Sequence, residues 1–260
     1  MDAQSPIRFA ARLRGRQTLL GTVVTLPSVG LAELVAEPLD FVWIDLEHGA
    51  LDTGDVQPLA VAARAAGCAA LVRLPSADCS RLAAILDAGV DGVVAPRVES
   101  ATEARRLVDR LRHPPRGSRG FAARRAGGYG RRSPLSADPV CLAQIESDRG
   151  VEAAGEIAAV EGVDALVIGC SDLALALDGT LDSPSERFRD AIAHVQRAAA
   201  AGGIASGIAG PDDARLLHDL AGAASTLLVC SADVRLYATA VDDLVARVRA
   251  PRREGLGVGA

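Results

Sequence analysis

Phe41-Val42-Trp43-Ile44-Asp45-Leu46-Glu47-His48-Gly49 is the stretch that decides the fold. Its apolar run has the length of a strand and lacks the alternation of a half-exposed one, so it suits a sheet covered on both faces. The run ends in two carboxylates and an imidazole, Asp45, Glu47 and His48. These are proton-transfer groups at a strand exit, where α/β scaffolds carry their active sites.

Outward from this segment, strand-like and helix-like patterns alternate. Strands are expected at Leu20–Leu26, Phe41–Leu46, Ala69–Leu74, Gly92–Ala95, Val140–Ile145, Ala165–Ile168, Ile204–Ile208 and Ser225–Val229. After an amphipathic lead-in at Ile7–Leu13, helices are expected at Leu31–Ala36, Val56–Ala66, Ser80–Ala88, Ala101–Leu111, Val151–Val160, Ser185–Ala201, Pro211–Leu220 and Val234–Arg249. Eight such units in about 250 residues predict a single-domain α/β protein, a (β/α)8 TIM barrel over residues 1–250. An open doubly wound sheet would carry G-x-G-x-x-G after its first strand, but the turn reads Leu26-Pro27-Ser28-Val29-Gly30. Residues 113–138 form a long insertion rich in Gly, Pro and Arg, and residues 251–260 read as a flexible tail.

Composition narrows the chemistry. The chain of 260 residues is 49% hydrophobic but only 3% aromatic, so its core must be built from Ala, Val, Leu and Ile. It has no lysine, all 28 basic residues being arginine, which excludes a Schiff-base or P-loop mechanism. A net charge of −5 gives no reason to expect nucleic acid. Without a leader-like start or a bilayer-length apolar run, the expected setting is cytoplasmic, with no membrane partner. The five cysteines (68, 79, 141, 170 and 230) are scattered and form no C-x-x-C pair, which fits reduced, mostly buried thiols.

Strand exits gather the polar residues. After Asp45, Glu47 and His48 come Val72-Arg73-Leu74-Pro75, Ala95-Pro96-Arg97, Gln144-Ile145-Glu146 and Gly169-Cys170-Ser171-Asp172. Glu146 and Asp172, on adjacent strands, suit a hard divalent cation, Mg²⁺ or Mn²⁺ with Co²⁺ also admissible; arginine pairing is the alternative. Arg73 either stabilises a developing oxyanion or forms a salt bridge below the rim. His48 can exchange protons near neutral pH if a carboxylate, Asp45 or Asp87, orients it. The arginines of the insertion either grip an anionic substrate or lie in a solvated or subunit-contacting loop.

Taken in order, these pieces resemble the 4-hydroxy-2-oxo-heptanedioate (2,4-dihydroxyhept-2-ene-1,7-dioate) aldolase family of metal-dependent pyruvate aldolases. The matching motifs also include Leu86-Asp87-Ala88-Gly89 and Pro114-Pro115-Arg116-Gly117-Ser118-Arg119-Gly120, and the resemblance spans about Gly21 to Asp233. It implies a homohexamer of barrels with sites near subunit contacts. It also implies His48 as general base, Arg73 as enolate stabiliser, and Asp87 with Asp45 raising the basicity of His48. Glu146 and Asp172 would bind the metal; Gln144, Ser171, Asp172, Gly169 and Glu47 would contact substrate. One departure is visible: Cys170 stands where the family commonly has proline, so a looser carboxylate-binding turn is expected.

The expected reaction is reversible cleavage of a 4-hydroxy-2-oxo acid to pyruvate and an aldehyde through a metal-stabilised enolate. Oxaloacetate decarboxylation, acyl-CoA cleavage, or a non-catalytic barrel that binds a 2-oxo acid are the competing readings.

Overall fold

Side-chain parity along the strands builds this molecule. The computed structural model describes residues 5–131, 133, 138–181, 185–210 and 212–250, the first four of these as backbone only. Eight parallel strands close into one barrel in chain order: β1 Leu19–Val24, β2 Phe41–Asp45, β3 Ala69–Arg73, β4 Gly92–Ala95, β5 Val140–Ile145, β6 Ala165–Gly169, β7 Ala205–Ala209 and β8 Leu227–Ala232. Helices α1 Ser5–Arg14, α2 Val29–Ala36, α3 Thr53–Ala65, α4 Leu82–Asp87, α5 Ala101–Leu111, α6 Asp148–Glu152, α7 Ala154–Ala158, α8 Cys170–Asp178, α9 Glu186–Ala201, α10 Ala214–Ala221 and α11 Asp233–Arg249 complete the chain. The expected (β/α)8 barrel is the observed fold.

Alternate residues of each strand face opposite ways. Phe41 and Trp43, Ala69 and Leu71, Leu142 and Val167 pack in the interior cluster, while Val42, Ile44, Val72 and Ile168 belong to the larger cluster under the helices. Helix α1 closes the lower end of the barrel. Its Phe9 and Leu13 join the interior cluster, and the Phe9 ring lies 5.7 Å from that of Phe41.

The same lower rim carries a repeated lock. Asp40, Asp91 and Asp164 stand just before β2, β4 and β6 and accept the backbone N–H of Leu20, Ala70 and Cys141. Each carboxylate also pairs with an arginine: Asp40 with Arg12, Asp91 with Arg64 and Asp164 with Arg14. Two of these arginines belong to α1, so the plug is fastened electrostatically as well as by packing.

Two expectations need correction. The helix expected over Val151–Val160 is two short ones, α6 and α7, each weakened by a glycine at 150 or 155. Helix α8 begins at Cys170, immediately after β6, where a turn was expected. Its Leu173-Ala174-Leu175-Ala176-Leu177 alternates with a strand-like period of two, which hid the helix in the sequence. Within the insertion, one 3-10 turn spans Arg125–Gly127; residues 132, 134–137 and the tail 251–260 lie outside the described residues.

Helix α11 departs from the packing of the others. Among its described side chains only Asp233 is buried, while Val234, Tyr237, Val241, Leu244 and Val248 are exposed on a 3-4-3-4 spacing. Among the described residues, no helix is long and apolar enough to cross a membrane.

Gly92 faces the barrel interior, and a Cβ there would collide with Val140 on β5. Gly92→Ala is expected to cost about 1–3 kcal/mol, the usual cost of overpacking. The midpoint of urea unfolding checks this.

Candidate active site

Residues 45, 73, 144 and 169 continue the inward-facing parity of their strands and form the top layer of the barrel. Asp45 lies directly across from Arg73 in the β2–β3 register, so both side chains meet on one face. Arg73 donates from Nε to Asp45 Oδ1 at 2.8 Å and from Nη2 to Oδ2 at 2.6 Å. Its Nη1 lies 3.2 Å from Glu47 Oε2, and its guanidinium carbon lies 5.5 Å from the Trp43 ring centroid. Burial opposes charge on Asp45, but the hydrogen bonds and charge of Arg73 outweigh it and hold the carboxyl below its ordinary range. Burial likewise opposes charge on Arg73, and Asp45 and Glu47 more than restore it.

This pair corrects the role expected of Asp45. Its carboxylate does not engage the His48 ring; it is taken by Arg73. Oδ1 also accepts the backbone N–H of Glu47 and of His48, at 3.0 and 3.4 Å. Asp45 therefore shapes the turn that carries His48. The ring itself is exposed, and its Nε2 lies 3.6 Å from Glu47 Oε2. Burial raises the pKa of Glu47 although Arg73 and His48 oppose this.

Asp87 takes a different place. It ends α4, in the helical layer outside the barrel, and pairs with Arg119 of the insertion at 3.5 Å. Among the described residues it forms no bond with His48. It lies instead on the wall of a cavity of about 610 Å³ lined also by Gln57, Pro58, Arg124, Arg125 and Tyr129.

Across the mouth, Gln144 Nε2 donates to Glu146 Oε2 at 2.6 Å, and the backbone N–H of Arg97 donates to Glu146 Oε1 at 2.9 Å. Burial, with the negative charges of Glu47 and Asp172 nearby, pushes Glu146 up to about 7. Arg97 and Asp172 approach within 3.9 Å. Gly169 leaves the space between them open, because a Cβ there would stand 2.5 Å from Glu146 Oε2 and 2.6 Å from Gln144 Nε2. Ser171 and Asp172 lie in the first turn of α8, whose N-terminus carries unpaired backbone N–H groups and a partial positive charge.

Comparison with known proteins now has a geometry to attach to. The model of the family described as HpcH/HpaI aldolase/citrate lyase matches residues 30–234. The chain belongs to that family. It is 38% identical over 210 residues to a hydroxypyruvate/pyruvate aldolase of Paraburkholderia phytofirmans, covering 76% of this chain and 81% of the relative. A 5-keto-4-deoxy-D-glucarate aldolase of Shigella dysenteriae is 31% identical, covering 92% of this chain and 95% of the relative. The crystal structure of an HpcH/HpaI aldolase/citrate lyase family protein from Burkholderia cenocepacia superposes with a TM-score of 0.88 at 32% identity, covering 94% of this chain and 99% of that one. Family membership makes this chain an enzyme of the aldolase and carbon–carbon lyase class.

Within this family member, the proline-to-cysteine change at 170 is accommodated. Cys170 is the first residue of α8, a position that tolerates proline only because its N–H has no intrahelical partner. Cysteine takes the same helical geometry, so the turn is regular where a looser one was expected. Its thiol is buried and pushed up to about 12, which leaves it unreactive. Arg97 is the mouth residue that sequence reading noted at a strand end without assigning a role. Its one distinguishing mark, a left-handed backbone, appears only in the fold.

The raised Glu146 pKa has a consequence for stability. Its folded value lies above the ordinary 4.5, so between pH 4.5 and about 7 the folded state holds a proton that the unfolded state has released. This contribution to stability is complete at low pH and is lost as pH rises through about 7. In chelator-treated protein, Glu146→Gln should remove that loss and unfold at higher urea than wild type at pH 8.5. The difference should be on the order of 3 kcal/mol and should shrink by pH 5.

Proposed function

We propose that this chain is a divalent-cation-dependent pyruvate aldolase that reversibly cleaves a 4-hydroxy-2-oxo acid into pyruvate and an aldehyde. The observation that carries the reading is the group of carboxylates Glu47, Glu146 and Asp172 facing Arg73 at the barrel mouth, with Glu146 pushed up to about 7.

The donor set fits a hard cation. Oxygen ligands predominate, Glu146 is destabilised by neighbouring negative charge, and the buried Gln144 Oε1 has no hydrogen-bond partner. Among the described residues, no three His, Cys, Asp or Glu side chains form a ready-made cage. Two carboxylates, Glu146 and Asp172, would therefore hold the ion, its remaining positions going to water and substrate, a habit of Mg²⁺ and Mn²⁺. When bound, the ion would supply a Lewis acid for the 2-oxo carbonyl and a sink for charge as the C3–C4 bond breaks.

The chain's own residues do the rest. Arg73, fixed by Asp45, offers a permanent charge to the oxygen that becomes the enolate oxyanion. With His48 Nε2–H turned to Glu47, Nδ1 is the nitrogen that accepts the C4 hydroxyl proton, directly or through one water. Loss of that proton lets the C3–C4 electrons move to C3 and the keto oxygen, releasing the aldehyde; protonation at C3 then gives pyruvate. The backbone N–H of Ser171, at the start of α8, holds the substrate carboxylate.

The reading includes a homo-oligomer, and two observations support it. Asp87 is outside the barrel, so a role for it at His48 requires another copy of the chain. The exposed apolar stripe on α11 has the 3-4 spacing of a helix seam. Double substitution Val241→Glu with Leu244→Glu should lower the oligomeric state by analytical ultracentrifugation, and an unchanged mass would remove α11 from the interface.

The decisive experiment incubates the protein with pyruvate and a panel of aldehydes, with chelator and then with Mg²⁺ or Mn²⁺ restored. Condensation should vanish with chelator and return with metal; thioesters such as malyl-CoA should not be cleaved. His48→Ala should lower turnover by about 10²–10⁴ while metal affinity, measured by calorimetry, stays unchanged. Loss of both together would give His48 a structural role instead.

A further inference from the structure

We propose that Arg97 selects the aldehyde half of the substrate by binding a carboxylate carried beyond C4, an inference that takes the orientation of the substrate from the aldolase reading above.

Arg97 follows β4 with φ of 51°, in the left-handed region. A non-glycine residue there costs roughly 1–2 kcal/mol, which glycine or asparagine would relieve. The conformation is held by the site itself. Arg97 N–H donates to Glu146 Oε1 at 2.9 Å, and the next N–H, of Val98, donates to the Gln144 carbonyl at 3.1 Å. An arginine kept at a position whose backbone favours a small residue points to a use for its side chain.

That side chain is available. Arg73 and Arg97 are the two guanidinium groups in contact with this carboxylate cluster among the described residues. Arg73 is only 12% exposed and is committed to Asp45 and Glu47. Arg97 is 65% exposed, and its one ion contact is a long 3.9 Å approach to Asp172. Its planar fork of donors matches a carboxylate.

The order of strands gives the direction. The 2-oxo acid end is assigned to Glu146, Asp172 and the start of α8, on the β5–β6 side. The C4 hydroxyl must reach His48, beyond β2. The chain past C4 therefore runs along the arc of β2, β3 and β4, and Arg97 stands at the β4 exit of that arc. In a mouth that already carries Asp45, Glu47, Glu146 and Asp172, an anionic tail needs a cation not yet consumed, and Arg97 supplies it.

The test compares 2-oxoadipate with 2-oxohexanoate. Both have six carbons and lack the 4-hydroxyl, so neither is cleaved, and only the first carries a distal carboxylate. Calorimetry in Mg²⁺ should show wild type preferring 2-oxoadipate by about tenfold, the scale of one charge-assisted pair. Arg97→Asn, which tolerates the left-handed backbone, should abolish the preference, and Arg97→Lys should retain part of it. In condensations with pyruvate, the kcat/KM ratio for succinic semialdehyde over butanal should fall in step. The proposal is overturned if wild type shows no preference, if the preference survives in Arg97→Asn, or if Arg97→Asn weakens both ligands equally. Should wild type condense no aldehyde at all, the aldolase reading fails while the binding preference still decides the role of Arg97.

Discussion

Asp45 and Arg73 face each other across β2 and β3, and the site is organised by that pair. Both residues are inward-facing by strand parity and level by register, so the barrel delivers them to a double hydrogen bond without any loop having to fold first. Asp45 is nearly inaccessible to water and Arg73 almost so. Removing one partner of such a pair typically costs about 3–5 kcal/mol, because the other charge is left buried. The pair then propagates outward. Asp45 captures the N–H groups of Glu47 and His48, while Arg73 reaches Glu47, so the exit turn of β2 is set by residues of the strands below it.

The opposite side of the mouth has the complementary electrostatics. Glu146 is buried among other acids and is held by Gln144 and by the backbone of Arg97, with too little cationic charge beside it to keep it ionised at ordinary carboxylate pH. A barrel built this way has fixed positive charge over β3 and unmet negative charge over β5 and β6. That polarity is what a reaction passing charge from a carbon–carbon bond to an oxygen requires. Membership of the HpcH/HpaI aldolase/citrate lyase family agrees with it.

Much of this was legible in the sequence, for local reasons. A strand buried on both faces reads as a short apolar run, so Phe41–Asp45, Gly92–Ala95 and Val140–Ile145 were located closely. Helix α5 was bounded correctly because Ser100 caps it and its apolar positions recur at helical spacing. The failures were also local. Helix α8 follows β6 without a connecting loop and alternates like a strand, so it was read as a turn.

The chain by itself determined the number and order of the β/α units, their inner and outer faces, and which polar residues stand at strand exits, because each depends on a period of two or 3.6 along the backbone. Partnership was decided only by the tertiary structure. Asp45 belongs to Arg73 and not to the His48 ring, Asp87 lies outside the barrel with Arg119, and Arg97 is turned into a left-handed backbone over Glu146. The physical reason is that partnership depends on register between strands and on the closure of the sheet. Both are set by packing among residues far apart in the chain, and no local period records them.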